Sequence, residues 1–131
     1  IGTSAFENCL KLCYIVFNIN LNVIGESAFR RCNITRLVLP DSVTSIGIYS
    51  FRMCEKLESV TFSSKMTRIG IGAFKECIKL KTLKNLDHIK IIENEVFSEC
   101  TSLETIDLLN TEIIGDFAFE KCRSLKYSKL S

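Results

Sequence analysis

Seven cysteines and one histidine are the residues of this 131-residue chain whose types suit nucleophilic, redox or metal chemistry. A thiol becomes a nucleophile or a zinc ligand only beside a base, a cation or further ligands. The spacing speaks against such company. Cys9, Cys32, Cys54, Cys77, Cys100 and Cys122 stand 22 or 23 residues apart, and only Cys13 lies outside the series. Zinc sites close with short local cysteine pairs and histidines; the closest pair here is Cys9 and Cys13. The histidine, His88, sits in the turn LDHIKI, where a solvated side chain is expected. The stretch IGIGAFKEC at 69–77 resembles a reactive loop, but I-G-x-G is too short for a dinucleotide or phosphate fingerprint. It also recurs, as IGTSAFENC at 1–9, IGESAFRRC at 24–32, IGIYSFRMC at 46–54, IENEVFSEC at 92–100 and IGDFAFEKC at 114–122. No nucleophile, base and orienting group are brought together, so no catalytic residue, metal ligand or cofactor is expected.

The elements that carry these cysteines are repeats beginning at Ile1, Ile24, Ile46, Ile69, Ile92 and Ile114. A period of this size marks a solenoid, here a single domain over residues 1–131. After each cysteine comes an L-x-x-I-x-F segment, as in Leu12, Ile15 and Phe17, Leu57, Val60 and Phe62, or Leu103, Ile106 and Leu108. Its alternation is that of a half-buried strand, and one strand per coil stacks into one parallel sheet. Polar turns follow at Pro40-Asp41-Ser42, Ser63-Ser64-Lys65 and Asn110-Thr111. The A-F-x-x-C segment puts its apolar residues at helical spacing, which predicts about one helical turn on the side opposite the sheet. The fold class is therefore an α/β-type solenoid. The glycine after each isoleucine, replaced by Glu93 in repeat five, permits a positive backbone angle or a close approach of coils. Phe6, Phe29, Phe51, Phe74, Phe97 and Phe119 form a ladder inside the coil, each burial contributing about 1.5–3 kcal/mol.

Bulk properties bound the function. A hydrophobic content of 47% suffices for a core, and 17 basic against 15 acidic residues leave a charge of +2 with no basic run, so nucleic acid is not the default partner. No stretch approaches the roughly 18–20 apolar residues of a membrane span, and no secretory signal opens the chain. The chain begins inside a repeat at Ile1-Gly2, as a segment cut from a longer array would, so that missing signal carries little weight.

The repeats resemble the BspA-like leucine-rich repeat family, in which an isoleucine-glycine step, an alanine-phenylalanine pair, a cysteine and an L-x-x-I-x-L-P strand recur. CEKLESVTF at 54–62 and LVLPDSVTSIGIYSFRMC at 37–54 carry the likeness, which covers essentially the whole chain. It implies a right-handed leucine-rich solenoid and a place among bacterial or parasite surface proteins associated with adhesion to host or matrix proteins and with cell aggregation. A reduced cysteine ladder and the missing signal point instead to a reducing, cytoplasmic compartment, and both locations stay open. Departures from the pattern are a residue missing between Cys32 and Ile34, Asn85 at a strand-end apolar position, Ser128 at an inward one, and proline after the strand only at Pro40.

The repeated cysteines are read as small buried side chains, whereas Cys13 is the thiol expected to be partly exposed. What varies from coil to coil flanks the central apolar residue of each strand. These candidates for a partner-binding face are Tyr14, Val16, Arg36, Val38, Ser59, Thr61, Thr82, Lys84, Thr105, Asp107, Tyr127 and Lys129. Tyr14, Val16 and Val38 are the apolar anchors and Arg36 the directional charge. The functional expectation is a non-enzymatic protein-protein interaction module of adhesion or scaffold type, binding a protein partner through that face. The alternative is a structural unit that self-assembles into homo-oligomers through uncapped solenoid ends.

Overall fold

The computed structural model describes residues 1–130, with side chains placed through residue 126. In chain order its strands are β1 (Val23–Ile24), β2 (Arg36–Val38), β3 (Ser45–Ile46), β4 (Ser59–Thr61), β5 (Arg68–Ile69), β6 (Thr82–Lys84), β7 (Ile91–Ile92), β8 (Thr105–Leu108), β9 (Ile113–Ile114) and β10 (Tyr127–Leu130). Each repeat forms one coil, numbered here in chain order. Even-numbered strands make the front of the solenoid and odd-numbered strands a second stripe at the isoleucine-glycine step; all pairing is parallel.

The expected single sheet is divided. On the front, β2-β4-β6 form one sheet and β8-β10 another; the second stripe divides into β1-β3 and β5-β7-β9. The front division falls at Asn85. This residue turns to φ 64°, and its side-chain amide donates to the Phe62 carbonyl at 2.8 Å. β6 therefore ends at Lys84 and makes no ladder with β8. In coil 1 the segment around Ile15 alternates in burial but forms no strand. The missing residue of coil 2 is bridged by Asn33, whose amide N–H reaches the Leu12 carbonyl at 3.1 Å and whose side chain reaches Leu10 at 2.6 Å.

Among the described residues there is no helix, which corrects the helical turn read from A-F-x-x-C. The arc is instead a run of overlapping β-turns. In coil 1 the amides of Ala5, Glu7 and Cys9 close turns onto Gly2, Ser4 and Phe6 at 3.3, 3.1 and 3.2 Å. The intervening amides of Ser4, Phe6 and Asn8 point along the solenoid to the Glu26, Ala28 and Arg30 carbonyls at 2.8, 2.7 and 2.8 Å. A helix would direct all six amides back along its own chain; here half of them join coils. The same alternation recurs at Phe29, Phe51, Phe74 and Phe97, whose amides donate to Ser50, Ala73, Val96 and Ala118.

Turning the backbone this way requires left-handed residues at two fixed places per coil. Ser4 and Asn8, Ser27 and Arg31, Tyr49 and Met53, Glu95 and Glu99, and Phe117 and Lys121 all have φ between 53° and 62°. In coil 4 the pair is Gly72 (φ 57°) and Glu76, and the ring of Tyr49 lies where a Gly72 Cβ would stand. The glycine after the isoleucine has a different reason. At Gly70 a Cβ would sit 2.5 Å from the Ile46 carbonyl oxygen, so close approach of coils, not a positive φ, excludes a side chain.

The phenylalanine ladder forms as expected. Successive rings from Phe6 to Phe119 stack with centroids 5.1–5.9 Å apart and planes within 16°. Phe17 and Phe62 meet Phe29 and Phe74 edge-on at 5.9 and 5.7 Å, joining the front wall to the ladder. Truncating fully buried Phe74 to alanine should cost about 3–5 kcal/mol in urea unfolding. Phe6, which is 41% exposed, should cost less than half as much. Equal losses at the two positions would contradict the packing described.

Candidate binding face and the cysteine ladder

The turn arc places each repeated cysteine beside the preceding coil. The thiols of Cys32, Cys54, Cys77, Cys100 and Cys122 donate to the main-chain carbonyls of Phe6, Phe29, Phe51, Phe74 and Phe97 at 3.0–3.2 Å. Each of these carbonyls also accepts the amide of its own coil's cysteine, Cys9 N–H to Phe6 being the first. The thiol therefore fills the second lone pair of an oxygen inside the core. This role as hydrogen-bond donor goes beyond the space-filling one read from the sequence.

All seven cysteines are free thiols. Burial pushes the Cys32 thiol up to about 11 and holds Cys54, Cys77 and Cys100 well above the ordinary thiol value. Neighbouring thiols on adjacent coils add to the rise for Cys54, Cys77 and Cys100, so these three thiols stay protonated near neutral pH and are not nucleophiles. Cys13 is exposed, more so than expected. His88 is exposed in its turn. Among the described residues no three side chains of metal-ligating type converge.

The front face carries the candidates. Central residues Leu37, Val60 and Ile106 are buried while their flanks turn outward; Leu83, beside the division at Asn85, is only half-buried. Arg36, Val38, Thr82, Lys84, Thr105 and Asp107 are exposed; Ser59 and Thr61, in the middle of a three-stranded sheet, are half-buried. Ladder register aligns Arg36, Ser59 and Thr82 in one row and Val38, Thr61 and Lys84 in the next. The division between β6 and β8 separates these rows from Thr105 and Asp107, which share a sheet with β10. Tyr14 and Val16 are the most exposed of the apolar candidates, at 76% and 77%, but lie on the extended segment of coil 1 rather than on a strand. Tyr127 and Lys129 fall on β10, and their side chains lie outside those described, as does that of Ser128.

Two clefts organise the face. One, of about 400 Å³, runs between coil 1 and β2 and is lined by Tyr14, Ile15, Val16, Phe17, Arg36, Val38 and Pro40. The second, also about 400 Å³, places Glu58 and Lys81 beside Arg36. Glu58 and Lys81 were not among the candidates because they precede their strands. Position by position they vary as the chosen residues do, and that variation was the available signal. A larger opening of about 630 Å³ at the coil 1 end exposes Phe6, Leu12, Phe17 and Leu21.

On this geometry the comparisons can be placed. The family profile described as BspA type leucine rich repeat region matches in six copies, over residues 1–103 and 22–131. A leucine-rich repeat protein from Bacteroides ovatus superposes with a TM-score of 0.64 at 25% identity, covering 98% of this chain and 45% of its own. A leucine-rich repeat protein of T. pallidum superposes with a TM-score of 0.68 at 20% identity, covering 96% of this chain and 71% of its own, and supports the fold alone. This chain thus spans less than half the length of the B. ovatus protein. No curated protein matches the sequence.

Thiol labelling checks the ladder. In the folded protein at mildly alkaline pH Cys13 should react readily, while Cys54, Cys77 and Cys100 wait for unfolding; rapid native labelling of Cys77 would contradict their burial. The raised thiols also set a pH limit. Their stabilisation is fully present below the ordinary thiol value of 9.0 and is lost above it, because the unfolded chain ionises first. Unfolding free energy should therefore fall above about pH 9, by about 1.4 kcal/mol per pH unit for each thiol still protonated only in the folded state.

Proposed function

The chain belongs to the BspA type leucine-rich repeat family, and from that premise we propose that it is a non-enzymatic protein-binding module of adhesion or scaffold type, engaging a protein partner through its strand face. The observation that carries the reading is the division of labour along each coil. Isoleucine, phenylalanine and cysteine recur and are largely buried, while the flanks of the central strand residue differ from coil to coil and mostly stay exposed. Stacked repeats present such variation as one extended surface. Tyr14, Val16, Arg36 and Val38 gather on its coil 1 side, supplying the aromatic and arginine chemistry that dominates protein interfaces.

Joint replacement of Tyr14 and Arg36 by alanine should weaken capture of a partner at least tenfold while leaving the thermal melt unchanged. A control pair on another side, Lys56→Glu with Lys79→Glu, should leave capture intact. Equal capture by all three proteins removes the strand face from consideration.

A further inference from the structure

We infer that the cleft between coil 1 and β2 takes an extended peptide segment bearing a hydrophobic side chain next to a carboxylate. The inference rests on the strand-face reading above and names the chemistry of the partner. Three observations combine. The cleft walls are apolar, formed by Tyr14, Val16, Phe17 and Val38, with a volume of about 400 Å³ that falls within the range of small ligand sites. Such walls take an aliphatic or aromatic side chain.

Arg36 is the one charged side chain lining that cleft. It is exposed and makes no salt bridge among the described residues; nearby Glu58 makes none either. Lys81, beside Arg36 in the second cleft, and Lys84 leave this half of the face with three cations against Glu58. A planar guanidinium at an apolar rim suits bidentate pairing with a carboxylate.

The third observation separates a peptide from a lipid. No main-chain hydrogen bond joins the extended segment of coil 1 to β2 among the described residues, although Asn33 reaches Leu12 just before it. On its other edge β2 is fully laddered to β4. The coil 1 edge of β2 therefore has no main-chain partner among the described residues, and an extended peptide backbone satisfies such an edge where an acyl chain cannot.

The test is selection of a displayed library of random dodecapeptides on the whole chain, followed by fluorescence polarisation with the synthetic winners. Enriched peptides should carry an aliphatic or aromatic residue adjacent to aspartate or glutamate. Binding should drop at least tenfold with Arg36→Glu and with Val38→Asp, and Arg36→Glu should regain affinity for a winner whose acidic residues are changed to lysine. All of these substitutions lie at exposed positions, and an unchanged melt verifies the fold. Peptides that depend on Tyr14 and Val38 but lack acidic residues, or ignore Arg36→Glu, overturn the inference and leave the strand-face reading standing. Enrichment of no peptide that depends on the cleft overturns both.

Discussion

The structure depends on a turn arc in which alternate amides point along the solenoid axis. One amide closes a turn within its coil and the next reaches a carbonyl of the following coil, as Ala5 and Phe6 do with Gly2 and Ala28. This geometry sets the coil spacing, and the spacing in turn stacks the phenylalanines and brings each thiol to the carbonyl behind it. It also has a cost. Left-handed backbone at a residue other than glycine costs about 1–2 kcal/mol, and residues as bulky as Tyr49 and Met53 adopt it. They persist because the flanking amides would otherwise be buried without partners, a loss of about 1–3 kcal/mol each.

That constraint explains what was legible in the sequence. The period, the buried isoleucines, the phenylalanine ladder and the buried cysteines follow from side-chain identity, which repeats because every coil offers the same surroundings. The arc's backbone did not show itself, since A-F-x-x-C has the spacing of a helical face. Of the twelve arc residues that take positive φ, only Asn8 and Gly72 are asparagine or glycine, so the usual turn residues gave little warning. What decides against a helix is competition from the next coil for the same amides. The divided front sheet was visible only as an irregularity, Asn85, whose side chain folds back on Phe62 rather than extending the strand.

The face was legible as a row of variable positions but not as a surface. Alternation around Leu37, Val60 and Ile106 correctly turned their neighbours outward. It could not show that Tyr14 and Val16 stand on an unpaired segment, or that Arg36 lies between an apolar cleft and a polar one. Both features arise from how adjacent coils pair. Pairing depends on main-chain hydrogen bonds, which side-chain identity only weakly encodes.

Native-state hydrogen exchange tests the central claim, that the turn arc rather than the strand face holds the coils together. The amides of Phe29, Phe51 and Phe74 should exchange only with global unfolding, while that of Thr105, beside the division between β6 and β8, should exchange through smaller local openings. Arc amides that exchange as fast as exposed turns, with protection confined to the front strands, would contradict it.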